Sequence, residues 1–281
     1  MSEIEKTKPM GIKDLFAEEN QYNINLELPF SKTTIKMREM ITADQKSFLK
    51  SAAQLSDKDF VQRKIGVLFN DLLEKISENL DISAMTLQDK LYVLLYLRSR
   101  LRGDKSQLSI PCQKCKKSIK FTYSLDRFTD KVKKLADSVE TPKTCQVGGA
   151  EMVIDAIMIK EEIESDTLLS DAAWVKSEEL GESEIANLMR VASAIKKITL
   201  PGKTTVDMTE YHMKDRYEAL MRMPAKMMTE IVDDISVMLK ATFDMMGDKI
   251  VIPCLQDNCD GKTEVNIQIG DEGFFIEPSS V

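Results

Sequence analysis

Apolar and polar residues alternate with a period of two in Asn23-Ile24-Asn25-Leu26-Glu27-Leu28 and again in Thr34-Ile35-Lys36-Met37-Arg38-Glu39-Met40, the pattern of half-buried strands. Pro29 stops the first run, so the two predict a β-hairpin, with residues 1–20 as a loose arm before it. The period then changes. Thr42 stands three residues before Gln45 in a capping-box arrangement and opens a helix through about Ala53. Val61, Ile65, Leu68, Phe69, Leu72 and Ile76 recur at intervals of three and four, one apolar stripe on a second helix. A third helix is expected from a Thr86/Asp89 cap through Leu91, Leu94, Leu95 and Leu97 to a stop at Gly103.

Further along, Thr144 to Val147 and Glu151 to Met158 flank Gly148-Gly149, which marks a tight turn between strands. Helical spacing dominates from about Glu161 to Lys197, and Lys160-Glu161-Glu162-Ile163-Glu164 reads as a solvated helix face. Pro201-Gly202 breaks this pattern, and Thr209 opens a helix toward Met223. Pro224 suits the first turn of a last helix, in which Met228, Ile231, Ile235, Met238 and Leu239 form one face before Gly247. Nine of the seventeen methionines fall between Met208 and Met246; such adaptable side chains suit either a core stripe or a partner groove.

One motif occurs twice. Ile110-Pro111-Cys112-Gln113-Lys114-Cys115 is echoed by Ile252-Pro253-Cys254-Leu255-Gln256-Asp257-Asn258-Cys259. The alternating runs Ile119, Phe121, Tyr123 and Val265, Ile267, Ile269 follow. Each copy reads as strand, cysteine turn, strand, and two facing copies would offer the four sulfurs of a tetrahedral zinc ribbon with Cys112, Cys115, Cys254 and Cys259 as ligands. The 138 residues between Cys115 and Cys254 far exceed the spacing of compact ribbons, so the repeated flanks carry the pairing. A ribbon without metal, disulfides or unrelated thiols are the other outcomes the spacing allows. Cys145 stands alone before Val147-Gly148-Gly149 and reads as a small core residue.

Composition narrows the classes. With 281 residues and 43% hydrophobic content the chain can bury a core. Net charge is −7, without a Lys/Arg block long enough to track a phosphate backbone, so nucleic acid is not an expected partner. No stretch has the length of a membrane span or the character of a signal peptide, and the expectation is a soluble protein made in the cytoplasm. Reduced thiols there favour metal over disulfides. His212 is the single histidine and has no marked nucleophile beside it. Phosphate and dinucleotide loops are missing, and a closed four-sulfur site has no open position for water. The chain is therefore expected not to be an enzyme.

The segment Leu26-Glu27-Leu28-Pro29 followed by Ile35 to Thr42 with Asp44, Lys46 and Leu49 resembles the start of the baseplate hub subunit of T-even-like contractile-tailed phages. Leu91 to Arg100 leading into the first cysteine turn is similar to that family, as is the closing stretch from Met223-Pro224 through Pro253-Cys254 and Cys259 to Gly273-Phe274-Phe275. The likeness spans about two thirds of the chain. It departs at Phe30-Ser31-Lys32-Thr33, where the family usually carries a glycine, in the longer second cysteine turn, and in a larger helical middle. The resemblance implies a structural or chaperone-like assembly protein of the tail baseplate hub. Its partners would be other tail and hub proteins, with an oligomeric form left open. It would act in the host cytoplasm during assembly or in the virion tail. A zinc-ribbon adaptor of transcription or translation is the alternative.

These readings combine into an α+β protein, mainly helical, with an N-terminal β-hairpin and two cysteine turns joined across a helical insertion. The expected divisions are an arm at 1–20, a hairpin with helices at 21–105, the first half of a ribbon at 106–123, the helical insertion at 124–247, the second half at 248–272 and a tail at 273–281.

Overall fold

A computed structural model describes residues 21–53, 61–256 and 258–268; the expected arm and tail lie outside the described residues. The protein is α+β, and its described residues divide into two compact units, one made of residues 21–27 and those from Thr33 to Asp81, the other of Leu28–Lys32 and those from Ile82 to residue 268.

In the first unit, β1 (Ile24–Glu27) pairs antiparallel with β2 (Thr34–Met37), Leu26 opposite Ile35. Leu26, Ile35 and Met37 are buried and the intervening polar residues are exposed, which is the predicted alternation. Helix α1 (Thr42–Ala53) begins one residue earlier than the capping pattern suggested. The Ile41 carbonyl accepts from Asp44 and Gln45, and the Asp44 carboxylate accepts from the Ile41 N–H at 3.2 Å. Asp44 thus fills the role expected of Gln45. Helix α2 (Val61–Ile76) buries Phe69, Leu72, Leu73 and Ile76, and its Phe69 ring lies 4.7 Å from that of Phe48. The chain leaving β2 meets the end of α2, where the Arg38 N–H donates to the Ile76 carbonyl at 2.9 Å. Buried Asp44 receives the Arg38 guanidinium at 2.6 Å and the Lys75 ammonium at 2.8 Å.

The second unit opens with α3 (Leu87–Arg102), capped as expected by the Thr86 hydroxyl on the Asp89 N–H and closed by Gly103 at φ 77°. The hairpin β3 (Lys105–Pro111) and β4 (Ser118–Ser124) follows, then α4 (Asp126–Ser138). A four-stranded antiparallel sheet runs in the order β5 (Lys143–Val147), β6 (Ala150–Ile154), β7 (Ile195–Thr199), β8 (Thr205–Asp207). Gly148 and Gly149 both take positive φ between β5 and β6, the geometry of a two-residue hairpin turn. Helices α5 (Ile159–Leu169), α6 (Ala172–Ser177) and α7 (Glu182–Ala194) stand between β6 and β7. Helices α8 (Met213–Met221) and α9 (Ala225–Met246) lead to the last hairpin, β9 (Gly247–Pro253) and β10 (Lys262–Gln268).

Strand β7 departs from the expected run of helix to Lys197. Ile195-Lys196-Lys197-Ile198 fits either period, and pairing with β6, Met152 opposite Ile198, decides it. The core joins Val147, Met152 and Ile154 of the sheet to Ile185 and Met189 of α7, Tyr217 of α8, and Ile231, Ile235 and Met238 of α9. Met208 and Met213 are buried there too, so these methionines form core rather than a groove. Met37 and Met238 also face inward.

Glu161 overturns its reading as part of a solvated face. Its side chain is 1% exposed; it takes the Lys196 ammonium at 2.7 and 2.6 Å and the Arg216 guanidinium at 2.9 Å, and accepts the Met158 N–H at 2.9 Å. Arg216 also donates to the carbonyls of Ala192, Ser193 and Ile195. Two cations on one carboxylate are tolerable in a core only where hydrogen bonds take up most of their donors; here the Arg216 Nε is buried without a partner. Burial pushes the Lys196 ammonium down, against the pull of Glu161.

Candidate metal centre

The two cysteine hairpins are built alike and lie together. In the first, Cys112 N–H donates to the Lys117 carbonyl and Lys116 N–H to the Cys112 carbonyl, each at 2.9 Å; Lys116 takes φ 62° to close the turn. In the second, Cys254 N–H donates to the Gly261 carbonyl at 2.8 Å and Cys259 N–H to the Gln256 carbonyl at 3.1 Å. Strand alternation aims Ile110, Ile119 and Phe121 at Ile250, Ile252 and Val265, which form a small separate core with the cysteines. Helix α9 delivers the second hairpin to the first. Two further links join the halves: the Gln113 N–H donates to the Thr263 hydroxyl at 3.1 Å, and Lys114 pairs with Asp260.

Cys112, Cys115, Cys254 and Cys259, all four predicted from the repeat, bring their sulfurs within 4.8 Å of one another. The Cys112–Cys259 and Cys115–Cys254 sulfur separations are 3.8 and 3.7 Å. A disulfide needs about 2.05 Å. Sulfurs placed about 2.3 Å from a tetrahedral zinc ion stand about 3.8 Å apart along each edge. The donor set and its spacing therefore fit zinc. Cys112 is fully buried and the other three are half-buried.

Electrostatics keep the four cysteines from ionising together without a cation. Backbone N–H groups of Cys115 and Lys114 hold the Cys112 thiol down to about 6 despite its desolvation. The Gln256 N–H favours the Cys254 thiolate, but burial and the sulfurs of Cys259, Cys112 and Cys115 outweigh it and push Cys254 up to about 12. Sulfurs crowded this closely cannot all ionise alone; a divalent cation at their centre removes the conflict.

Gly261 was not singled out in the sequence. A Cβ there would lie 2.8 Å from the Cys112 sulfur, 2.8 Å from the Lys114 Cβ and 3.2 Å from the Cys259 sulfur, so only glycine lets the second turn close over the cluster. The legible signal was a glycine two residues after the last cysteine. Cys145 sits apart, buried on β5 with its thiol donating to the carbonyl of its β6 partner Met152 at 3.5 Å, as expected of a core residue. His212 is exposed ahead of α8. Among the described residues no helix is long and apolar enough to cross a membrane.

Fold and site define an α+β protein in which two distant cysteine hairpins enclose a compact four-thiol cluster. A family model described as T4 bacteriophage base plate protein matches residues 20–269. The chain belongs to that family, and its role is that of a structural or assembly component of a phage baseplate. No curated protein and no solved structure matches the chain.

Proposed function

We propose that the protein is a non-enzymatic structural or assembly factor of the central hub of the tail baseplate, chaperone-like in that it acts by binding other tail proteins. In this reading Cys112, Cys115, Cys254 and Cys259 hold one structural zinc. The observation that carries it is the closed four-sulfur cluster, assembled from two hairpins whose cysteine pairs are 138 residues apart, in a chain that matches the baseplate family over residues 20–269. The ion would supply a cross-link and charge neutralisation; four protein ligands leave no position for a reacting water. The cysteine hairpins hold β3–β4 and β9–β10 of the second unit in one place, and that fixed frame presents the surfaces that partners recognise.

Two measurements test this. Elemental analysis of purified protein is expected to find about one zinc per chain; Cys112→Ser or Cys254→Ser releases it and Cys145→Ser does not. Structural zinc contributes on the order of 10 kcal/mol to small sites, so the two ligand variants should also unfold far more readily. Folded, metal-free protein with four reactive thiols would remove zinc from the proposal. For the hub role, affinity-tagged protein from infected cells is expected to co-purify hub components. Baseplates that assemble normally without the gene would overturn that part.

A further inference from the structure

The lysines beside the cysteine cluster form a surface that the internal ion pairs leave open. Residues 98–134 carry twelve Lys and Arg against three Asp, a local charge of +9 in a chain of net charge −7, so the remainder carries −16. Along the sequence these cations come singly or in pairs, which hides them from a search for basic runs. Folding gathers several of them. Between Lys105 and Ser124 there is no carboxylate, and the hairpin register sets Lys105, Gln107 and Ser109 across from Ser124, Thr122 and Lys120 on the face turned away from Ile110, Ile119 and Phe121. Lys105 and Lys120 are exposed on that face, and Lys116 and Lys117 are exposed at the head of the same hairpin. Lys114 pairs with Asp260, but among the described residues none of these four has a carboxylate partner.

The complementary charge is on the same chain. Residues 139–190 hold twelve Asp and Glu against four Lys and Arg, a local charge of −8, of which Glu161 and Glu162 are taken up by Lys196, Arg216 and Lys90 outside the segment. Glu179 and Glu182 are exposed at the turn between α6 and α7. We propose that the lysine face of β3–β4 binds the α6–α7 turn of a second copy of this chain, head to tail. The two surfaces differ, so each bound copy keeps one of each free, and association runs on to a ring or a chain of copies. A protein surface fits better than nucleic acid. The outer face offers no aromatic ring for base stacking, Phe121 and Tyr123 pointing inward, and a chain of net charge −7 repels a polyanion. This inference goes beyond the hub reading and does not need the hub proteins to be present.

Charges of this kind steer association and make it salt-dependent. The test is sedimentation velocity of the full-length protein at about 0.02 M and about 0.5 M salt, on either side of the ~10 Å screening length at 0.1 M. Dimers and larger species are expected at low salt and monomer at high salt. Lys105→Glu/Lys117→Glu/Lys120→Glu should abolish the low-salt species, as should Glu179→Lys/Glu182→Lys, and mixing the two charge-reversed variants should restore them. A folding defect cannot produce that rescue. A monomer at low salt, or association unmoved by both variants, would overturn the proposal. So would a ~30-nucleotide single strand that binds the monomer through the same lysines.

Discussion

Asp89 holds Phe30: its buried carboxylate accepts the Phe30 N–H at 2.9 Å, and its second oxygen accepts the Ser31 N–H at the same distance. The Thr86 hydroxyl already caps the Asp89 N–H, so the side chain is free to organise a turn 59 residues away in sequence. Hydrogen bonds to a charged group are worth about 1.5–3 kcal/mol each. Asp89→Ala is expected to cost about 3 kcal/mol and Asp89→Asn, which keeps one acceptor, about half of that. Urea denaturation curves with an unchanged slope would show it.

The close approach at Gly261 makes a sharper prediction about the cluster. Gly261→Ala adds a methyl group 2.8 Å from the Cys112 sulfur, which must shift. Changes just outside a metal's ligands typically cost about 10- to 100-fold in affinity, and a loss of that size is expected here in competition with a chromogenic chelator. Gly202→Ala, where a Cβ strains the backbone at φ 68° but meets nothing within 4 Å, should leave metal affinity unchanged.

The buried trio around Glu161 separates a missing charge from a missing partner. Glu161→Ala leaves Lys196 and Arg216 facing each other in the core without their carboxylate, and removal of one member of a buried pair costs about 3–5 kcal/mol. Lys196→Met removes one of the two cations and leaves the Glu161–Arg216 pair intact, so it should cost well under half as much. Thermal unfolding of the two variants side by side checks the order.

Asp44 predicts acid sensitivity in the first unit. Hydrogen bonds from Arg38 and Lys75 outweigh its desolvation and hold its carboxyl below the ordinary 3.8. A carboxyl depressed on folding adds stability that is complete above the unfolded value and disappears as pH falls through the folded one. Stability should therefore begin to decline below about pH 4 and lose this contribution once the depressed value is passed. Asp44→Asn should be less stable at neutral pH and show a flatter decline in acid, as followed by Phe48 and Phe69 exchange signals in NMR.

How far the sequence could be read depended on what each residue had to satisfy. The hairpin β1–β2, the stripe of α2, the Thr86 cap, the Gly148-Gly149 turn and the four cysteines are local patterns that tertiary structure only had to accept. Glu161 and Lys196 carried no local sign of burial, because the signal is three charges meeting from α5, β7 and α8. Strand β7 was hidden for a related reason: its identity lies in β6, not in its own spacing. The turn that departs from the family's glycine is built instead on Lys32 at φ 55°, with Asp89 securing its neighbours. Gly261 was visible as a residue, but its crowding exists only when both cysteine hairpins are assembled.

The 138 residues between the two cysteine pairs also set a timetable. At about 5–20 residues per second of synthesis, Cys112 and Cys115 leave the ribosome on the order of ten seconds before Cys254 and Cys259. During that interval Ile119 and Phe121 have no opposing hairpin, while the residues of the sheet and of helices α5 to α9 are being made. The last hairpin then closes against the first like a buckle, so the cysteine cluster reports that the whole second unit has been made.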